Sequence, residues 1–203
     1  MKMPDNTFRH RRQSFDIPGH AHELTFSCRK WIKLLSKDRT RMWLVEALDL
    51  ARARHDLYLW AYAIMPEHAH VLLISRRDDY KVARILKTIK QPVARKAIAR
   101  LRACAPDWLE RLAGHHTSKD TTYHFWEPGG GYDRNIITTK AAHAVVEYIH
   151  NNPVRRGLVD SPEQWPWSSA GWYAGQQDVK LEMDPTLPEM GRSSSLRSGL
   201  GQQ

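Results

Sequence analysis

The chain has 203 residues, 41% of them hydrophobic, and 31 Lys and Arg against 22 Asp and Glu give a formal net charge of +9. That length fits one domain with a core of its own, and the positive excess directs attention to polyanionic partners. Only Cys28 and Cys104 occur and no Cys-x-x-Cys pair is present, which argues against a structural zinc site and a disulfide framework.

Residues 1–19 are polar and basic, with Arg9, Arg11 and Arg12 ahead of Pro18-Gly19, and read as a flexible arm. Residues 21–28 alternate well enough for a first strand. Residues 39–54 carry Leu44, Val45, Leu48 and Ala51 at helical spacing. Two apolar runs, 57–65 and 68–75, flank Pro66-Glu67 and read as a strand hairpin. From Asp79 the helical period returns, with Val82, Ile85, Leu86 and Ile89 as its stripe; Gln91-Pro92 is expected to break or kink it before a second basic helix over 93–104. Residues 123–126 read as a short strand and 128–131 as a loop. Thr138 or Thr139 is a candidate N-cap for a helix over 140–151, expected to end before Pro153. After Tyr173 the chain turns polar, and 174–203 reads as a disordered tail. The expected fold is α+β, a mostly antiparallel sheet with helices on one face, formed by residues 20–173. No apolar run reaches the roughly 18 residues of a membrane span, and the first residues, Met1 to Asn6, lack the apolar stretch of a secretory signal, so a cytoplasmic protein is expected.

The charge is unevenly placed. Between Arg76 and Arg102 ten Lys or Arg face two acids, Asp78 and Asp79. Arg76, Arg77, Lys81, Arg84, Lys87, Lys90, Arg95 and Lys96 are therefore candidates for tracking phosphates, the alternative being a solvated helix in a basic protein.

His68-Ala69-His70 is the most informative motif. Side chains two apart on a strand share a face, so both imidazoles can reach one metal ion. With 11 His in 203 residues, about 0.6 His-x-His pairs arise by chance, and His20-Ala21-His22 is a second example. The later pair differs in lying within an apolar hairpin. On the helix near 140–151, Ala142, Val145, Val146 and Ile149 define the buried stripe, while Tyr148 and Asn152, one turn apart, lie along one flank of it. Glu147, His150 and Asn151 are expected to point away. A phenol with an ordinary pKa near 10 is a poor nucleophile unless its phenolate or the transition state is stabilised, as a divalent cation would do. Taken singly, Tyr148 also suits a helix edge and Asn152 a cap.

Four ordered stretches carry a family resemblance: Ile64 to Val71 around the histidines; Phe125-Trp126 with Gly131-Tyr132-Asp133-Arg134-Asn135-Ile136; Tyr148-Ile149-His150-Asn151-Asn152-Pro153-Val154 with Gly157-Leu158-Val159; and Trp165-Pro166-Trp167-Ser168-Ser169. Over residues 21–173 the chain resembles the REP-associated tyrosine transposases, a group of the HUH single-strand transposases and nucleases. The resemblance implies a ferredoxin-like core with the tyrosine on a C-terminal helix, and His68, His70 and Asn152 holding Mg²⁺ or Mn²⁺. It implies that Tyr148 attacks a phosphate of single-stranded or hairpin DNA, forming a 5′-phosphotyrosine link and freeing a 3′-hydroxyl. Donor softness alone would favour Mn²⁺, Ni²⁺ or Zn²⁺ over Mg²⁺ at two imidazoles. The Pro128-Gly129-Gly130-Gly131 run departs from the bulkier sequence of many relatives, and suits either a turn or a close backbone approach to DNA. Tyr123, Trp126, Trp165, Trp167 and Trp172 are candidate base-stacking residues, with core packing as the alternative. The competing functional class is a nucleic-acid-binding protein of the same fold without catalysis. No membrane or protein partner is indicated, and monomer and homodimer are both open.

Overall fold

A computed structural model of the chain describes residues 15–117 and 120–190, the side chains of 115–117 and 120 excepted. The basic arm with Arg9, Arg11 and Arg12, and the tail beyond residue 190, lie outside the described residues.

The chain runs β1 (Ala21–Ser27), α1 (Asp38–His55), β2 (Leu57–Ile64), β3 (His68–Ser75), α2 (Val82–Cys104), α3 (Pro106–Leu109), β4 (Ala113–Thr117), β5 (Asp120–Tyr123), β6 (Tyr132–Ile136), α4 (Thr139–Arg155) and α5 (Ala170–Tyr173). Four strands form a sheet in the order β2-β3-β1-β6, and each neighbouring pair is antiparallel. With α1 after β1 and α2 after β3, this is the ferredoxin-like arrangement of an α+β fold. β4 and β5 pair separately as a hairpin.

Helices cover both faces of the sheet, not one as expected. Leu24, Phe26, Tyr62, Ile64, Val71 and Leu73 pack with α1 and α2, through Leu44, Leu48, Ile85 and Ile89. On the other side Trp60, Ala61, Ala63, Leu72 and Ile74 pack with Ala142, Val145, Val146 and Ile149 of α4. The sequence signal is the uninterrupted apolarity of β2 and β3: every residue of β3 is buried, which a sheet with one wet face does not permit. In β2 the register slips between Leu59 and Ala61, with Trp60 as the extra residue, so Leu59 and Tyr62 face one side although three positions apart.

Both proline breaks fail to occur. α2 runs unbroken through Pro92 because its buried stripe continues across it as Ile89, Val93 and Ala97. α4 continues through Pro153 to Arg155, with Pro153 itself buried. Thr138 is the N-cap of α4, its hydroxyl accepting from the amide of Ala141 at 3.2 Å. The strand expected at 123–126 ends at Tyr123, and Trp126 makes only a single bridge to Cys28. β6 was not anticipated as a strand, being a polar edge strand without alternation.

The expected boundaries also move. Asn135 on the edge strand β6 exchanges hydrogen bonds with the Phe15 backbone, at 3.0 and 2.7 Å, and Tyr80 donates to the Ile17 carbonyl at 2.9 Å, so residues 15–19 are fixed to the domain. Residues 174–190, read as tail from their polarity, cover the β2 edge: Leu59 and Asp184 exchange two bonds, Trp60 donates to Thr186, and Leu181 and Met183 are buried in the core. A few apolar residues anchor this polar stretch. Gly131 has φ +82, and a Cβ there would stand 2.2 Å from the Thr25 carbonyl oxygen. The close approach is therefore to strand β1.

Candidate functional site

His68 and His70 sit on β3 with their rings on the α4 side of the sheet, each 5% exposed. Register sets Thr25 of β1 opposite His70, and its hydroxyl lies 2.8 Å from His70 Nδ1. The buried Glu67 carboxylate lies 3.0 Å from His68 Nδ1. With the outer nitrogens held in this way, the two Nε2 atoms face each other at 3.0 Å. Outer-shell partners of this kind fix which nitrogen of a metal-ligating imidazole is free to coordinate.

Burial, and secondarily its neighbour His68, pushes the His70 pKa down to about 3. Burial also lowers that of His68, outweighing the opposing pull of Glu67. Both rings are thus neutral donors at physiological pH. The third polar group comes from α4, whose Asn152 carboxamide nitrogen is 3.1 Å from His70 Nε2. A half-turn of that amide would place its oxygen there instead. Among the described residues no three or more His, Cys, Asp and Glu are arranged to hold a metal ion by themselves, so the donor set here is two imidazoles and an amide. Neutral nitrogen donors with one oxygen suit a borderline divalent cation that keeps open positions for water or phosphate.

Tyr148, one turn before Asn152, is 40% exposed, and its ring meets that of His70 edge to face at 5.6 Å between centroids. The Arg155 guanidinium lies 5.3 Å from the Tyr148 ring centre. His68, His70, Tyr148 and Asn152 all line one cleft of about 720 Å³. Four residues separated by up to 84 positions in sequence thus line one cleft: strand and helix periods pair them two by two, and only the family resemblance implied that the two pairs meet.

The rest of the cleft was not anticipated. Arg134, Arg155 and Arg156 line it, together with Trp31 and Glu23. Arg156 bonds the Glu67 carboxylate at 2.7 Å and Arg134 pairs with the buried Glu23 at 2.7 Å. A helix ending at 151 would not carry Arg155, so the stop expected at Pro153 concealed it. His150, expected to point outward, is buried, with Nε2 2.8 Å from the Ser169 hydroxyl. The segment around α5 packs over that flank of α4 and creates a second interior surface. The other His-x-His has a different setting: His22 faces Asp133 and Tyr80, at 2.9 and 2.7 Å.

The basic candidates around α2 lie apart from this cleft, since α2 and α4 cover opposite faces of the sheet. Arg76, Arg77, Lys81 and Lys96 form ion pairs with Asp56, Asp79, Asp16 and Glu46. Lys90 donates to the Gly129 carbonyl and, with Lys87, borders a second groove beside Trp126. Arg84 and Arg95 lie on the same helix. Of the candidate stacking aromatics, Trp126 and Trp167 are 6% exposed, Trp165 and Trp172 pack against the core, and Tyr123 donates to Glu110.

No family model matches the chain. A Haemophilus influenzae protein assigned to the REP-associated tyrosine transposases is 24% identical over 159 residues, covering 75% of this chain and 82% of the relative. A solved structure of a REP-associated tyrosine transposase bound to a REP hairpin superposes with a TM-score of 0.56 at 21% identity, covering 88% of this chain and 93% of the other. A transposase-like protein from Deinococcus radiodurans aligns over 74% of this chain at 18% identity with a TM-score of 0.42. The chain is thus similar in sequence to one REP-associated tyrosine transposase and shares its fold with another.

Proposed function

We propose that the protein is a metal-dependent transposase or endonuclease that cleaves and rejoins single-stranded DNA, at hairpins of the REP type, through a tyrosine-linked intermediate. The observation that carries this reading is the meeting of Tyr148, His68, His70 and Asn152 in one cleft. The hairpin substrate is carried over from the relative whose structure holds a REP hairpin.

In this reading His68, His70 and Asn152 hold Mg²⁺ or Mn²⁺. When bound, the cation supplies polarisation of a non-bridging phosphate oxygen and neutralises charge that develops during displacement. The chain supplies the rest. Tyr148 Oη forms a bond to phosphorus and gives its proton to solvent; the P–O3′ bond breaks, and the departing 3′ oxygen takes up a proton. The product is a 5′-phosphotyrosine and a free 3′-hydroxyl, and attack by another 3′-hydroxyl in the reverse sense transfers the strand. Arg155 lies beside the Tyr148 ring, where its fixed charge favours a phosphate and a developing phenolate. The cleft is open at Tyr148, as an incoming strand requires.

Incubation with labelled hairpin oligonucleotides and Mn²⁺ tests the reading. The expected result is a labelled protein species that survives denaturation and is lost in Tyr148→Phe, His68→Ala and His70→Ala. Cleavage without an adduct would indicate a hydrolase, and binding without cleavage a silent DNA-binding protein; either overturns the proposal.

A further inference from the structure

Trp31 is 58% exposed, the one exposed tryptophan among the described residues, and it lines the same cleft as the imidazole pair. Its ring lies 5.7 Å from that of His68 between centroids, tilted by 56°. The tryptophans named as stacking candidates from the sequence are instead occupied in or against the core.

The backbone that presents this indole is held in an unfavourable conformation. Lys30 and Trp31 have φ of 51 and 56, two consecutive non-glycine residues in the left-handed region. Such a pair persists only when its surroundings fix it, and strain of this kind gathers where a side chain must be aimed. Here the Lys30 amide donates to the Glu127 carboxylate, the Arg29 guanidinium bonds the same carboxylate at 3.2 Å, and the Arg29 amide donates to the Phe125 carbonyl at 2.8 Å. Sequence positions nearly a hundred apart thus hold a large apolar ring out of the core and at the rim of a polar cleft.

We propose that Trp31 is the stacking platform for an unpaired nucleobase flanking the phosphate that docks between His68, His70 and Tyr148, an inference that rests on the single-strand reading above. Every base offers a π-face, so an exposed indole binds single strands with little regard to sequence, while nearby cations hold the backbone. Arg155 lines the same cleft beside Tyr148 and supplies such a cation, with Arg134 and Arg156, each ion-paired to a buried glutamate, flanking it. With phosphate at the imidazoles and base on the indole, one nucleotide is fixed at two points, which orients the scissile bond toward the phenol.

The test uses the full chain carrying Tyr148→Phe, so that binding is read without covalent capture, and hairpin oligonucleotides in which each unpaired nucleotide is replaced in turn by an abasic one. The expected result is that one abasic position lowers affinity about tenfold when Trp31 is present and not when it is Trp31→Ala. Trp31→Ala alone is expected to lower affinity by a similar factor on intact DNA, and Trp31→Phe to restore most of it. Equal abasic penalties in both proteins at every position, with wild-type chain still forming its covalent adduct, would overturn the stacking role and leave the transferase reading standing. Absence of both binding and adduct in the wild-type chain would overturn the two together.

Discussion

Glu67 carries more of the site's organisation than its place in a turn suggests. Its carboxylate is 3% exposed, holds the outer nitrogen of His68 at 3.0 Å and the Arg156 guanidinium at 2.7 Å. Both contacts fall on Oε1, while Oε2 is buried with no hydrogen-bond partner among the described residues. A neutral amide of the same size would hold the ring less firmly and could present a donor in place of an acceptor. Glu67→Gln is therefore expected to weaken Mn²⁺ binding by about 10- to 100-fold, measured by titration calorimetry on the folded protein. Unchanged affinity would reduce Glu67 to a packing residue. Thr25 holds His70 in the same manner from the neighbouring strand. These supporting contacts were not legible in the sequence, because pairing of β1 with β3 decides which side chain of one strand meets which of the other. The two histidines were legible because both lie on one strand.

Among the elements, α4 decides the geometry, since it brings Tyr148, Asn152 and Arg155 to the strand that bears the histidines. Its apolar stripe was legible from the spacing of Ala142, Val145, Val146 and Ile149, and those residues do meet the sheet. Its end was not, because the buried Pro153 sits in a turn already held by packing, and tertiary contacts outweigh the cost of a missing amide donor. The orientation of His150 was missed for a related reason: a helix wheel assigns one buried face, whereas this helix is covered by the sheet and by the segment leading into α5. Burial pushes the His150 pKa from the ordinary 6.5 to about 4. The unfolded chain therefore takes up a proton that the folded chain refuses, and stability falls as pH drops below about 6.5, levelling off below about 4. The loss from this residue is expected to reach no more than about 3 kcal/mol. Urea denaturation between pH 7 and 4 measures it, and His150→Gln, which retains a partner for Ser169, is expected to flatten that slope. An equal slope in the variant would mean that other groups set the acid limb.

At the scale of the whole molecule the sheet has two edges, and segments that composition assigns to the arm and the tail contribute to covering them. Phe15 lies against β6, its backbone bonded to the Asn135 side chain. Residues 167–169 and 184 satisfy the backbone of β2, at Ile64, Tyr62 and Leu59. Covered edges prevent pairing with other chains. Removal of residues 174–203 would leave Leu59 unpartnered and strip Leu181 and Met183 from the core. Loss of two buried apolar side chains and several hydrogen bonds is expected to destabilise the domain by several kcal/mol, read as a lower urea midpoint; an unchanged midpoint would show that 174–190 adds nothing to the fold. Element order and most core residues were legible in this chain because β2, β3 and α1 have dense apolar periodicity. The edge segments were not, since their fit depends on a few side chains such as Asp184 and Asn135 set in polar sequence. Trp31 was missed for the same kind of reason: its exposure follows from a backbone held by Glu127, far away in the chain.

Peptide mass spectrometry of the species trapped with hairpin DNA and Mn²⁺ tests the central claim most directly, because it locates the covalent bond. The account expects a nucleotide remnant on the peptide that contains Tyr148 and on no other. A remnant on a different residue, or cleaved DNA with no modified peptide, would contradict the convergence of phenol, imidazoles and carboxamide as a catalytic unit.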